Sequence, residues 1–233
     1  MATLLLRLAA PLQSWGAESK FDTRRTGREP TKSGVIGLLA AALGIRRDAD
    51  AEIQGLSAAL RFGVRVDREG ELLRDFHMVH KDEKTAYLTN RYYLADAVFL
   101  VGLESNDAAL LEKLEYALRH PAFPLFLGRR SCPPTPPLSL GVRDGELLTV
   151  LQEEPRIHYE GRPTHSVRIV TDGIPGERNT GIQRDAPMSF DSHHRRFADR
   201  AVTQWGFVSL PDETPSYFFT EHDPLRELGG EQL

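Results

Sequence analysis

Cleaving RNA without a metal takes a general base, an acid and a cation around one phosphodiester. His77, His80, Lys81, Lys84, Tyr87, Tyr92 and Tyr93 supply those side-chain types within one short segment. The same residues suit another task, in which rings stack on bases and lysines meet phosphates. The sequence leaves both open. His77-x-x-His80 and His193-His194 lack cysteines or a helical i, i+4 pair, so no metal and no cofactor is expected. The single Cys132 has no neighbouring histidine and reads as a buried or idle thiol. With no possible internal disulfide, a reducing cytoplasm is the expected location.

A second candidate is "TRRTGREPTKSGVIGLLAAALGI", residues 23–45. Lys32-Ser33 matches the end of a nucleotide P-loop, but Thr26 and Thr31 occupy both glycine positions. The only upstream strand candidate, residues 4–8, also lies too far away to run into the loop. A more general anion site remains. Ser33 suits the N-cap of a helix from Gly34, whose free N–H groups and positive dipole end lie beside Arg24, Arg25, Arg28 and Lys32. An ordinary capped helix under a solvated basic loop is the alternative. Trp15, next to Gln13, could stack on a base or fill the core. In "FLGRRSCPPTPPL", Gly128, Arg129, Arg130, Ser131 and Cys132 combine guanidinium forks with a glycine that admits a close backbone. A rigid loop with solvated arginines would look the same.

The elements that must position these residues follow from periodicity. Strands are expected at 4–8, 61–67, 96–104 and 138–142, with helices at 33–43, ended by Gly44, and at 106–120. The order β, α, β, β, α, β gives an α+β, ferredoxin-like domain over residues 1–150. Gly34, Gly37 and Ala41 share one helix face and are expected to pack on the sheet. A long polar insertion occupies 68–95, too long for a hairpin turn. Residues 151–210 read as a small, irregular β domain and 211–233 as an acidic tail.

The chain has 233 residues, 40% hydrophobic and 27% charged, enough for one good core and a smaller one. No run reaches membrane-spanning length, and no membrane contact is expected. The net charge of −4 hides an uneven distribution. Residues 212–231 carry six acids against one arginine, which leaves basic islands at 20–32, 117–143 and 193–200 in a near-neutral body. A localised polyanion track and scattered solvated charge both fit that pattern.

Two segments together, "LRLAAPLQSWG" running on to "TRRTGREPTKSGVIGLLAAALGI" and later "FLGRRSCPPTPPL", resemble the CasD-type subunits of type I-E CRISPR Cascade complexes, in the RAMP superfamily. The resemblance spans most of residues 1–150. It implies an RRM-type domain, a thumb formed by the 68–95 insertion and a small C-terminal β domain. It also implies a non-catalytic subunit that holds the 5′ handle of the CRISPR RNA. Implied partners are the CasC backbone subunit, the large CasA subunit and target DNA near the protospacer-adjacent motif. The implied RNA-binding residues are Gln13, Trp15, Arg24, Arg25, Thr26, Arg28, Thr31, Lys32, Ser33 and Gly128 to Cys132. His77, His80, Lys81 and Lys84 would make thumb contacts to RNA or to a neighbouring subunit. A metal-independent endoribonuclease cutting CRISPR repeat RNA is the alternative, because CasD-like proteins of a related subtype have that activity.

Overall fold

The computed structural model describes residues 1–16, 19–20, 23–80, 86–157, 166–191 and 193–209. Its first half comprises β1 (Ala2–Ala9), the two-residue strands β2 (Leu12–Gln13), β3 (Ser19–Lys20) and β4 (Thr23–Arg24), helices α1 (Lys32–Leu43) and α2 (Asp50–Ala58), and β5 (Arg61–Arg68). A hairpin of β6 (Glu71–His80) and β7 (Ala86–Ala95) follows, then β8 (Val98–Ser105), α3 (Ala108–Arg119), β9 (Ser139–Asp144) and α4 (Leu147–Glu153). The chain continues through β10 (Ser166–Asp172), β11 (Thr180–Ser189) and β12 (Arg196–Ser209). No described helix is long and apolar enough to cross a membrane.

Seven strands form one antiparallel sheet in the order β11-β12-β10-β5-β8-β1-β9. β1 lies inside it, covered on both faces, and this is why its sequence is an apolar run instead of an alternation. Leu4, Leu6 and Leu8 join the core beneath α1 and α3, with Ile36, Leu39, Leu111 and Leu114. Leu5 and Ala9, on the opposite face, join Leu147 and Leu151 of α4. The residues expected as a separate C-terminal β domain instead extend this sheet. β10 pairs with β5 from Arg168↔Val66 to Thr171↔Gly63, so the sheet has no break near residue 151. The 211–233 tail lies outside the described residues.

Helix α1 begins earlier than the sequence suggests. Its N-cap is Thr31, whose hydroxyl accepts from the Gly34 amide at 3.1 Å, while Ser33 lies within the first turn. Gly44 closes the helix in the left-handed conformation, as expected. The Lys32 amide donates to Asp185 at 2.9 Å, so a carboxylate of the protein itself occupies the position suited to a phosphate.

Asp185 belongs to a buried ionic cluster. Arg200 donates to Asp185 through Nε and Nη2 and to Asp172 through Nη1 at 2.7 Å. Asp172 also accepts from the Lys32 ammonium at 2.8 Å and the Phe62 amide at 3.0 Å. The ammonium completes its bonding at the Leu60 carbonyl, 2.9 Å away. Burial lowers the Arg200 pKa, but the two aspartates outweigh that effect and raise it. A second buried group, Arg65, makes a two-toothed contact with Asp67 and donates to the carbonyls of Leu151, Glu154 and Pro155, fixing the exit of α4.

Removing one partner of a buried pair strands the other charge, at a cost of about 3–5 kcal/mol. Asp185→Asn is expected to lose stability on that order in chemical denaturation. Arg46→Ala, which breaks an exposed pair with Asp48, should change it by less than about 1 kcal/mol.

Candidate nucleic-acid interface

The segment after β1 is held from within. Gln13 is fully buried and donates to the carbonyls of Leu8 at 3.2 Å and Ala97 at 2.7 Å. Its side-chain oxygen accepts from the indole of Trp15, which is 1% exposed. The resemblance implied RNA contacts for both; the side chains of both lie in the core, the second of the two readings open for Trp15. Thr26 is likewise structural: its hydroxyl accepts from the Trp15 amide at 2.8 Å, and the Gly27 amide donates to the Trp15 carbonyl at 2.8 Å. Gly34 is set by the same indole, because an added Cβ would come within 2.9 Å of the Trp15 ring. Lys32, Thr31 and Ser33 are buried at the start of α1, the lysine in its ion pair. The side chains of Gln13, Trp15, Thr26, Thr31, Lys32 and Ser33 all have hydrogen-bond partners within the protein.

The second motif forms a tight turn against the first. The Leu127 amide donates to the Cys132 carbonyl at 2.7 Å, and the Ser14 amide to the Leu127 carbonyl at 3.0 Å. Gly128 has φ +91, and an added Cβ would lie 1.7 Å from the Ser14 carbonyl oxygen. Only glycine fits there. Cys132 is buried, and burial pushes its thiol above the ordinary pKa. Arg129 donates to the Arg24 carbonyl at 2.9 Å and lies 4.6 Å over the Tyr93 ring. Burial raises the Tyr93 phenol, but neighbouring Ser131, Arg129 and Arg91 outweigh it and leave its pKa below the usual value. Arg130 and Ser131 are exposed.

These pieces border a groove of about 1450 Å³. One bank carries Arg24, Arg25, Arg129 and Arg130; the floor is α1, with Gly37 and Ala41 exposed to the groove instead of packed on the sheet. Arg46, Arg47 and Arg195 form the other bank, and Phe123, Phe126, Phe190 and Phe197 also line it. Among the described residues, Arg24, Arg25 and Arg130 form no ion pair. Arg28 lines a smaller recess of about 530 Å³ beside Arg25 and the Glu29–Arg168 pair. Arg46, Arg47 and Phe190 escaped the sequence reading. The adjacent arginines after Gly44 were the available signal.

The hairpin leans on this site through β7, which pairs in parallel with β4, Arg24 opposite Arg91, and antiparallel with β2. The insertion was expected to be polar. Instead Leu72, Phe76 and Met78 of β6 and Leu88 of β7 are 56–68% exposed on one face, since Met78 stands opposite Leu88. His77 Nε2 lies 3.0 Å from Asp75 and His80 is exposed, on opposite faces of one strand. Lys81 and Lys84 lie outside the described residues.

A sheet with helices on both faces, beside an arginine-lined groove, defines an α+β protein with a strongly basic surface groove. The family described as "CRISPR-associated protein (Cas_Cas5)" matches residues 3–203, and the chain belongs to that family. It is 37% identical over 219 residues to the CRISPR system Cascade subunit CasD of Escherichia coli (strain K12), covering 84% of this chain and 92% of that protein. A chain from a CRISPR RNA-guided surveillance complex matches with a TM-score of 0.75 and 33% identity, covering 92% of this chain and 95% of its own. A crystal structure of a Cas protein matches with a TM-score of 0.71 and 42% identity, over 91% and 100%.

The Gly128–Ser14 contact should be testable through Cys132. In Gly128→Ala the turn must open, so a thiol reagent that labels the native protein slowly is expected to label the variant at least tenfold faster. Unchanged labelling would show that the turn accepts the methyl group.

Proposed function

We propose that the protein is a non-catalytic RNA-binding subunit of a Cascade-type complex, holding the 5′ handle of the CRISPR RNA. The observation that carries this reading is the bank of Arg24, Arg25, Arg129 and Arg130, raised on a braced turn and the short strand β4, with none of the four in any described ion pair. Such forks suit phosphate oxygens and base edges of splayed single-stranded nucleotides. Arg28 extends the bank into the smaller recess. The strand order β5-β8-β1-β9, with α1 and α3 as crossovers, supports a ferredoxin-like, RRM-type domain, and the β6–β7 hairpin supports the thumb.

The apolar face of that hairpin, Leu72, Phe76, Met78 and Leu88, supports contact with an adjacent subunit, since soluble surfaces seldom leave such a stripe bare. A backbone CasC-type subunit and a large CasA-type subunit next to the protospacer-adjacent motif are the partners this reading assigns, within a cytoplasmic ribonucleoprotein. Target sequence would be read by guide pairing, which leaves the protein to hold shape and backbone.

Two outcomes are expected. For the full chain with a labelled single-stranded handle oligoribonucleotide, each lost phosphate contact flattens the slope of log affinity against log salt by about 0.7. Arg25→Gln with Arg130→Gln should therefore flatten it by about 1.4, while Arg119→Gln, paired with Glu115 on α3 and outside the groove, should not. Arg129 is less suitable, because its contacts with Arg24 and Tyr93 also hold the turn. The protein should also leave labelled repeat RNA uncut in chelator, because His77 and His80 face opposite sides of β6 and cannot act as one acid–base pair. A site-specific product that disappears in His77→Ala would instead identify a ribonuclease.

A further inference from the structure

The groove has a far bank that handle binding at the near bank does not use. Arg47, just past the end of α1, and Arg195, just before β12, both line it. Neither has an ion-pair partner among the described residues. The nearby carboxylates are engaged, Asp48 with Arg46 at 3.3 Å and Asp191 with the His193 amide at 2.7 Å. Burial lowers the Arg195 pKa and the charge of Arg47 lowers it further. Both guanidinium groups are exposed and line one space, where their like charges repel and an entering anion would relieve the repulsion.

The floor between the banks is also unexplained by the fold. Glycine in mid-helix is destabilising relative to alanine. At Gly34 the Trp15 indole demands it, but at Gly37 an added Cβ would meet only the Phe190 ring, at an ordinary 3.6 Å. Gly37 therefore leaves bare peptide beside an aromatic edge, in a groove of about 1450 Å³, larger than the roughly 300–1,000 Å³ of sites for one small ligand. Flat apolar seats flanked by guanidinium groups suit unstacked bases.

We propose that a single-stranded stretch of the guide RNA crosses α1 in this groove. One phosphodiester lies between Arg47 and Arg195, and the adjoining base is seated on Gly37 against Phe190. This rests on the RNA-binding reading of the near bank, and the test separates the two.

The test is binding of the full chain to a labelled single-stranded handle oligoribonucleotide across a salt series, with a base-paired RNA of equal length as competitor. Arg47→Gln with Arg195→Gln should weaken binding about tenfold or more at physiological salt and flatten the salt slope; a phosphodiester shared by both arginines predicts a decrease of about 0.7. Gly37→Leu should weaken binding with its salt slope unchanged, because it blocks a base and removes no charge. If leucine lowers the melting temperature, Gly37→Ala decides, since its methyl group fits the fold; a melting temperature equal to or above the parent with weaker binding supports the seat. The paired RNA should compete poorly. Loss of binding in Arg25→Gln/Arg130→Gln with none in Arg47→Gln/Arg195→Gln would overturn the far bank and leave the proposed function standing. No loss in either pair would overturn both. Unchanged binding in both Gly37 variants would remove the base seat.

Discussion

The buried cluster of Lys32, Asp172, Asp185 and Arg200 is the constraint on which the rest of the molecule depends. Two carboxylates and two cations balance in charge, and each carboxylate also accepts a backbone amide, from Phe62 or from Lys32. Desolvating four ions is expensive, and only this near-complete hydrogen bonding offsets it. The geometry draws together the start of α1, β5, β10, β11 and β12. It makes the C-terminal strands part of the main body and fixes α1, the floor of the groove, against them.

How much of this was legible locally divides by the range of the interactions. β1, β5, β8, α1 and α3 show in their periodicity, because burial on one or both faces writes itself into neighbouring residues. The cluster does not, because the partners of Lys32 are 140 and 153 residues away, and a lysine at a helix start looks like surface without them. The same applies to Gln13 and Trp15, which satisfy each other's polar groups and so can be buried while looking like an exposed pair. The α1 cap moved from Ser33 to Thr31 because either residue type can cap and Asp185 fixes the first amide. The seven residues of α4 are too few for a clear helical period. The hairpin was misread as polar because its apolar residues alternate with Arg74, Asp75 and His77 and never form a run.

At the candidate site the residue types were legible and their roles were not. Of the fourteen residues first assigned to RNA, the interior takes Gln13, Trp15, Thr31, Lys32, Ser33 and Cys132, and Thr26 and Gly128 serve as loop joints. Arg24, Arg25, Arg28, Arg130 and Ser131 project outward, and Arg129 does both jobs. The motifs mark a braced frame and its exposed decoration together, since a loop that presents arginines in fixed directions needs hidden residues beside them.

Because Asp185 fills the amino end of α1, attraction for a polyanion rests on side chains at the rim while cohesion rests on ions largely withdrawn from solvent. Dissolved salt reaches the two very differently: a Debye length of about 8 Å at physiological ionic strength shields the rim and hardly touches the interior. Brine strong enough to strip a nucleic acid from this body would leave the body folded, so loading and unloading can be reversed many times without passing through a denatured chain.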